Sequence, residues 1–308
     1  MLWRGSVRDF AARIDLTSFK YPEIAIIYSY LAVESWLSWD VATLDRLFAS
    51  SLTKADQEIQ SPSGRHAQAH MKLCARLMVH RLKNPNQYLF RNQTQTLYVI
   101  GDSHSLCLSG LPVVWNSKIA IFQGLPIRGI KMFHLGSGIS KKYREYFRAR
   151  IKTVTTNSEI ILSIGEIDSR PNEGVFIEAF KTGLANPKGF EKIALATVTN
   201  FIKFVSEELA QSGLLKKQVA LMGLPPIGYS IKRGLPEGAS VKQFVDVNAR
   251  INLLMREGAL AAGWKFIDLQ EGSMKLTTQE LASFRLDDFH MTPSFYQNVD
   301  AWTVRPNI

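Results

Sequence analysis

Leu97-Tyr98-Val99-Ile100-Gly101-Asp102-Ser103-His104-Ser105 is the stretch that decides the fold. Its apolar run is rich in β-branched and aromatic residues and stops at Gly-Asp-Ser, which predicts a buried strand that ends in a tight turn. A serine in this turn lies at the carboxyl end of a strand, where open α/β sheets bind their ligands. Gly101 lets the backbone turn sharply, and the amides that follow can face a substrate oxygen. Taken alone the stretch favours an ordinary turn, with a nucleophile site as the alternative that depends on the rest of the chain.

The composition is that of a globular protein. The chain has 308 residues, 46% hydrophobic and 21% charged, which suits one large domain or one domain with a smaller appendage. No apolar run is long enough to span a bilayer, and residues 1–19 lack the apolar core of a signal peptide. Cys74 and Cys107 have no metal-binding spacing. We expect a cytoplasmic protein with two reduced core thiols; a periplasmic protein in which they pair is the alternative.

The net charge of +10 raises the question of an anionic partner. The basic residues are scattered in small groups, and none of these groups alternates with aromatic residues as in a single-strand binding groove. We therefore expect solvated surface charge and no nucleic-acid partner. An anionic polymer or an anionic lipid is the alternative.

Residues 1–95 form a predicted helical N-terminal region. Apolar residues recur at helical spacing from about residue 22, Ser61-Pro62-Ser63-Gly64 interrupts the pattern, and an amphipathic stretch follows over residues 66–82. The region resembles a degenerate tetratricopeptide-like helix pair, so it is where we expect a contact with another protein. His66 and His70 lie four residues apart, but without a third ligand nearby they favour a solvated helix face over a metal site.

Residues 96–308 form the second predicted domain, in which short apolar strands alternate with amphipathic helices. This alternation predicts an α/β three-layer sandwich with a parallel sheet flanked by helices. The expected strands cover residues 97–101, 119–122, 130–134, 159–164, 218–222 and 265–267. The expected helices cover residues 141–151, 191–211 and 241–262.

A serine nucleophile needs a general base, and the base needs a group that orients it. Of the six histidines, His290 lies in a polar turn after the last predicted strand, three residues beyond Asp287. In a loop this spacing lets the carboxylate hold the imidazole, although a helix N-cap with a surface histidine gives the same pattern. His104 is a rival base, but adjacent side chains on a turn point apart. Asp102 is expected to secure the turn through backbone hydrogen bonds.

The order of these motifs resembles the SGNH, or GDSL-type, hydrolase family. Gly-Asp-Ser follows the first strand, Gly165-Glu166-Ile167-Asp168 follows a later strand where the family has Gly-x-Asn-Asp, and Asp-x-x-His lies near the end. Residues 219–226 and 247–261 also resemble family elements in the same order. The resemblance covers residues 97–297 and leaves out the helical N-terminal region.

The resemblance implies a serine esterase or acylhydrolase that uses no cofactor and no metal. Ser103 would be the nucleophile, His290 the general base and then the acid, and Asp287 the group that orients His290. The oxyanion donors would be the Ser103 amide and a glycine amide. Gly136 is favoured for that glycine, with Gly138 as the alternative and a simple turn as the other reading of both.

The chain departs from the family pattern at the asparagine that donates the third oxyanion hydrogen bond. Ile167 stands there, and an isoleucine side chain cannot donate. Loss of one such donor typically costs about 3–4 kcal/mol of transition-state stabilisation. The alternatives are a replacement donor, for which Arg170 or His104 is available, and a catalytically weak site.

The residues around this position form Gly-Glu-Ile-Asp-Ser-Arg, which looks like a variant block of a bacterial subgroup and favours a replacement donor. Gly165, Glu166, Asp168 and Arg170 are therefore predicted to lie at the oxyanion or substrate side of the site. For the two carboxylates the alternative is to cap the next helix. For Arg170 it is a surface ion pair.

The reaction implied by the resemblance is hydrolysis of an ester through an acyl-enzyme. The expected substrate is a small acylated molecule, with a short acyl group such as acetyl on a carbohydrate-type alcohol. An O-acetyltransferase on the same scaffold and a non-catalytic binding or scaffold protein with a decayed site are the alternatives. Intact Ser103, Asp287 and His290 favour the two catalytic alternatives, whereas Ile167 keeps the third open.

Overall fold

The computed structural model describes residues 21–38, 62–88, 95–155, 157–228 and 234–306. The chain divides between residues 89 and 90 into two compact units. In the first unit, helices α1 (Tyr21–Leu37) and α2 (Pro62–Lys83) pack against each other. The predicted interruption at 61–64 coincides with the start of α2, because a proline is tolerated in the first turn of a helix. The predicted helical residues 44–48 lie outside the described residues.

The second unit is built on a seven-stranded sheet with helices between most of its strands. Its elements are β1 (Gln95–Gly101), α3 (His104–Leu108), β2 (Pro112–Trp115), β3 (Lys118–Pro126), α4 (Met132–Gly136), α5 (Lys141–Ile151), β4 (Glu159–Ser163), α6 (Gly174–Lys181), α7 (Pro187–Gln211), β5 (Val219–Met222), α8 (Val241–Ala261), β6 (Lys265–Ile267), α9 (Leu269–Met274), α10 (Thr278–Ser283) and β7 (Thr303–Val304).

The strand order is β2-β3-β1-β4-β5-β6-β7. The five central strands are parallel, whereas β2 pairs with β3 and β7 pairs with β6 in antiparallel fashion. The predicted α/β fold with helices around the sheet is confirmed, but the sheet is mixed rather than all parallel. Antiparallel edge strands on a parallel sheet are common in folds of this class.

One predicted strand is wrong, and two observed strands, β2 and β7, are missing from the prediction. Residues 130–134 hold no strand, because the backbone N–H groups of Met132 and Phe133 donate to Asp168 and begin α4 there. Of these two, β2 turns into β3 through Asn116 and Ser117, which both have positive φ, 49° and 62°. Two positive φ values describe a tight hairpin turn, but its usual signal, Asn-Gly, is replaced by Asn-Ser.

Helices cover both faces of the sheet. On one face, side chains of alternate strand residues pack into a core with α4, α5, α7 and α8, as Leu162 and Leu221 do with Phe201 and Met255. On the other face, α3 packs on β1 and β3, and the 3-10 helix Pro293–Asn298 packs on β2. This arrangement leaves the loops at the carboxyl edge of the sheet free to build a site.

Among the described residues, none of the helices combines the length and apolarity that crossing a membrane requires. Cys74 and Cys107 are both buried thiols.

Candidate active site

Ser103 lies at the point where the order of the parallel strands reverses. β1 has β3 on one side and β4 on the other, so the crossovers from these strands leave in opposite directions. Such a switch point opens a crevice at the carboxyl ends of the strands. β1 ends at Gly101, and Ser103 is the half-buried N-cap residue of α3. The predicted strand, turn and serine therefore occupy the position at which α/β sheets bind ligands.

Ser103, His290 and Asp287 form a continuous chain of hydrogen bonds. Ser103 Oγ lies 2.7 Å from His290 Nε2, although the two residues are 187 positions apart in the chain. His290 Nδ1 lies 2.9 Å and 3.1 Å from the two carboxylate oxygens of Asp287. Because a carboxylate only accepts, Nδ1 carries the proton and Nε2 accepts from the serine hydroxyl. The arrangement has the geometry of a serine nucleophile with its base and orienting acid.

The Asp287 carboxylate is held ionised by its neighbours. Its Oδ1 accepts from the backbone N–H groups of Phe289 at 2.9 Å and of His290 at 2.8 Å. Partial burial acts to raise the pKa of Asp287, but the hydrogen bond from His290 and these backbone bonds outweigh it and hold the pKa well below its ordinary value. Asp287 therefore remains a fixed negative charge beside the imidazole at neutral pH.

Residues 285–291, which we term the catalytic loop, are closed at their base. Arg285 and Met291 form an isolated β-bridge, and the Leu286 N–H donates to the His290 carbonyl at 2.9 Å. Arg285 Nη2 also donates to the carbonyls of Pro226 and Ile227, in the loop after β5. The loop that carries Asp287 and His290 is therefore fixed both to itself and to the sheet.

Asp102 and His104, on either side of Ser103, are paired beneath the catalytic loop. Asp102 Oδ1 accepts from the backbone N–H and from Nδ1 of His104, both at 2.9 Å. His104 Nε2 lies 2.8 Å from the Phe289 carbonyl oxygen, and its ring stacks on that of His290 at 4.8 Å between centroids. With both ring nitrogens engaged, His104 has no atom left for the role of rival base or of oxyanion donor.

Arg170 holds the catalytic loop from the other side. Its Nε and Nη2 donate to the Glu166 carboxylate at 2.7–3.0 Å, and its guanidinium lies over the Phe289 ring, 4.5 Å from the centroid. The sequence expectation of a replacement oxyanion donor therefore does not match its contacts, because these donors are directed to Glu166. Glu166 in turn neutralises the charge of Arg170, and it lines the same small cavity as Phe289 of the catalytic loop.

Asp168 caps a helix, but this helix is α4, which precedes it in the chain, and not the next helix that the alternative named. It is fully buried, and its carboxylate accepts from the backbone N–H groups of Met132 at 2.6 Å and Phe133 at 3.1 Å. Burial raises the pKa of Asp168 to about 7 against the opposing effect of these two bonds. Asp168 thus joins the loop after β4 to the start of α4. Its carboxylate is used up in this contact and does not donate a hydrogen bond to a substrate oxygen.

Of the two glycines predicted at the oxyanion side, Gly136 lies at a helix crossing. A Cβ at Gly136 would lie 2.8 Å from Asn200 Cβ and 2.9 Å from the Phe201 nitrogen, so glycine is needed there for α4 to approach α7. Gly165 follows β4 with φ +137°, a backbone conformation that residues other than glycine rarely adopt.

Ile167, at the position of the expected asparagine donor, is 7% exposed and belongs to the apolar interior. The Ser103 N–H has no acceptor among the described residues and remains available to an oxyanion.

A cavity of about 560 Å³ lies among α4, α6 and α7, and no member of the Ser103–His290–Asp287 chain lines it. Its walls include Phe133, Gly136, Asp168 and Ile193. A much smaller cavity of about 40 Å³ lies beside the catalytic loop, bounded by residues that include Arg170 and Phe289. The predicted Gly136 and Asp168 therefore line the larger cavity rather than the surroundings of Ser103.

Asp102, His104 and Glu166 also form a cluster whose ligand atoms lie within 4.8 Å of one another, as a metal site requires. The donor set does not fit a cation, because both His104 nitrogens are engaged in hydrogen bonds and Glu166 is paired with Arg170. Charge balance within the cluster comes from these residues and Arg170. The geometry is that of a buried ion network.

Sequence reasoning missed the two contacts that hold Phe289. His104 is predicted as a rival base or a replacement oxyanion donor, although a histidine next to the nucleophile is also placed to reach the loop that carries the other residues. Arg170 lies four positions after Glu166, a spacing that signals a pair on one helical turn. That signal was present in the sequence, but the position of Phe289 under the guanidinium was not.

No protein-family model and no curated protein sequence matches this chain. Solved structures that are similar to it include the lipase/acylhydrolase from Enterococcus faecalis, with 13% identity, covering 68% of this chain and 93% of that chain, at a TM-score of 0.40. An α/β hydrolase from the metagenome of Lake Arreo has 13% identity, with 70% and 94% covered and a TM-score of 0.39. For phospholipase A1 from Streptomyces albidoflavus the values are 13%, 68% and 96%, and 0.37. At this similarity, function has to be inferred from the side chains of the site.

Proposed function

We propose that this protein hydrolyses ester bonds through a serine nucleophile. The observation that carries the proposal is the pair of short contacts from Ser103 through His290 to Asp287 at the strand switch point. The Asp287 carboxylate fixes a proton on His290 Nδ1. His290 Nε2 is therefore free to accept the proton of Ser103, as a general base must.

In the proposed reaction, Ser103 Oγ attacks the ester carbonyl while His290 Nε2 takes the serine proton. Asp287 stabilises the imidazolium that forms, and the Ser103 N–H donates to the oxyanion. The tetrahedral intermediate collapses to an acyl-enzyme, and the alcohol leaves with the proton from His290. A water molecule then gives its proton to His290 and attacks the acyl-enzyme, which releases the acid and restores Ser103.

For the substrate, we propose a short acyl group such as acetyl on a carbohydrate-type alcohol, as the family resemblance implies. The partial exposure of Ser103 supports an alcohol that extends into solvent.

The experiment is a chain-length series of p-nitrophenyl acetate, butyrate and octanoate, with labelling by a serine-directed phosphonate read by intact mass. We expect labelling of one site and a kcat/KM that falls with chain length, both abolished in Ser103→Ala. Ser283→Ala, at an exposed serine at the end of α10, is the matched control and should behave as the unaltered protein. Turnover and labelling that persist in Ser103→Ala would refute the proposal, and octanoate as the best substrate would refute the short acyl group.

A further inference from the structure

The catalytic histidine is connected to the turn of the nucleophile by a second route that does not pass through Ser103. His104 Nε2 lies 2.8 Å from the carbonyl oxygen of Phe289, the residue directly before His290. The His104 ring also stacks on the His290 ring, with an angle of 30° between their planes. One side chain therefore contacts both the backbone and the ring that define the position of the general base.

The hydrogen-bond partners of His104 determine its protonation state. A carbonyl oxygen only accepts, so Nε2 must carry a proton. Nδ1 faces the carboxylate of Asp102, which is 1% exposed, and therefore carries a proton as well. A ring with two protons is an imidazolium, and its charge offsets that of the buried carboxylate.

We propose that His104 is a positioning residue for catalysis, acting as a buried imidazolium that is fixed by Asp102 and that holds the catalytic loop through the Phe289 carbonyl and the His290 ring. This role rests on the proposed ester hydrolysis. It assigns Asp102 a function beyond securing the turn, since Asp102 keeps both protons on His104. His104 itself touches no reacting atom.

The tether has a pH limit. Burial acts to lower the pKa of His104, but the charge and hydrogen bond of Asp102 outweigh it and raise the pKa to about 9. Above that pH the ring keeps one proton, and the carboxylate, as the stronger acceptor, retains it at Nδ1. Nε2 then presents a lone pair to the Phe289 carbonyl, which breaks the tether.

Several other groups that carry charge or titrate surround this pair on the elements packed against it. Glu166 raises the pKa of His104, and Arg170 lowers that of Asp102. His290 is stacked on His104. Burial, followed by the Cys107 thiol and the nearby carboxylates, raises the pKa of Tyr296 well above its ordinary value, so this phenol stays neutral across the range in question. The transition near pH 9 therefore belongs to His104.

The first test reads the tether without any substrate. In protein labelled with 15N-histidine, long-range 1H–15N spectra distinguish an imidazolium from either neutral tautomer, and the His104 signals are identified by their loss in His104→Gln. We expect the doubly protonated pattern at pH 7.5 and a transition near pH 9, and a shifted or broadened His290 Nδ1–H signal in His104→Ala. A neutral His104 at pH 7.5, or a His290 signal that is unchanged in His104→Ala, would overturn the proposal. This result stands even if no ester is turned over.

The second test compares two double variants that both remove the buried charge pair. Asp102→Asn/His104→Gln keeps a side-chain N–H that can reach the Phe289 carbonyl, whereas Asp102→Asn/His104→Ala does not. Because misplacement of a catalytic group by about 1 Å can lower the rate about a hundredfold, we expect a fall in kcat of that order with alanine and a recovery of about tenfold with glutamine, with little change in KM. Equal kcat for both variants would refute the tether.

The pH profile of kcat separates positioning from simple stability. The unaltered protein should lose activity as the pH rises through about 9, and the glutamine double variant, which has no group to titrate there, should lack this fall. His134→Gln is the matched control, because His134 also stacks on a ring, that of Tyr143 at 4.1 Å, but lies on α4. It should keep both kcat and the alkaline fall. An alkaline fall retained by the glutamine double variant would contradict the proposal.

Discussion

Replacing Gly101 by alanine tests whether the end of β1 is the fixed reference for Ser103. A Cβ at Gly101 would lie 2.1 Å from the carbonyl oxygen of Ser163 on β4, about 1.3 Å short of the 3.4 Å at which ordinary contact begins. The oxygen cannot rotate away, because it belongs to the backbone and accepts the Asp102 N–H at 3.1 Å. The two central strands must therefore separate at the point where the nucleophile turn begins.

The expected cost follows from this displacement. Overpacking of a well-packed interior typically costs about 1–3 kcal/mol, and a backbone–backbone clash belongs at the upper end, so we expect Gly101→Ala to lower the free energy of unfolding by about 3 kcal/mol. Because Ser103 follows two residues later, a shift of about 1 Å should also lower kcat about a hundredfold. Urea unfolding monitored by tryptophan fluorescence and hydrolysis of p-nitrophenyl acetate measure the two effects.

Gly258→Ala is the control for this substitution. Gly258 lies inside α8, and the three atoms nearest to a Cβ there belong to the side chains of Ile202 and Val198, which can shift, the nearest at 3.3 Å. In a helix interior, glycine is less stable than alanine by about 0.5–1 kcal/mol of folding free energy. This variant should therefore be at least as stable as the unaltered protein and equally active. If Gly101→Ala unfolds at the same urea concentration as the unaltered protein with unchanged kcat, the reasoning about β1 and β4 is refuted.

Three further substitutions address the site. Asp287→Asn should leave the fold intact and lower kcat by about 10⁴, because the amide no longer fixes the Nδ1 proton of His290; a loss below tenfold in p-nitrophenyl acetate hydrolysis would argue against the proposed roles. Arg170→Met should lower the free energy of unfolding by about 3–5 kcal/mol, since it leaves the buried Glu166 carboxylate unpaired, and adding Glu166→Gln should recover part of this loss; urea unfolding measures both. Asp168 holds its proton to about pH 7 in the folded state, whereas in the unfolded chain it ionises near 3.8. The unfolded state then binds fewer protons between these values, so stability falls as the pH rises, by up to about 4 kcal/mol, and this component should be absent from Asp168→Asn when urea midpoints are compared at pH 4 and pH 7.5.

Local pattern predicted most of the second unit because its central strands are short apolar runs and its long helices are strongly periodic. β1, β4, β5 and β6 are continuous apolar runs, and α7 carries one apolar stripe, so each was found close to its observed bounds. The failures occur where a distant residue decides the local structure. Residues 130–134 read as a strand by composition, but Asp168, 36 residues away, accepts two of their N–H groups and starts a helix.

The site divides in the same way. Ser103, Asp287 and His290 could be proposed from the sequence because their spacing and order are read along the chain, and the structure brings them within hydrogen-bond distance. The contacts of Arg170 with Phe289 and of His104 with its carbonyl join positions 119 and 185 residues apart. The local pattern does not indicate these contacts, because each of them joins positions more than one hundred residues apart.

The block after β4 has a different role in this protein from the one that its position suggests. The position expected to supply an asparagine to the oxyanion holds buried Ile167, while the residues around it bind the loop of the general base and the start of α4. A missing donor costs about 3–4 kcal/mol in the transition state, whereas holding reacting groups in place contributes up to about 7–11 kcal/mol. The catalytic loop is held at three points, by His104, by Arg170 and by Arg285. His104 follows β1 and Arg170 follows β4, whereas Arg285 lies in the catalytic loop and binds the segment after β5. These three attachments fix the placement of His290, which supports the proposal of an active enzyme over the alternative of a decayed site.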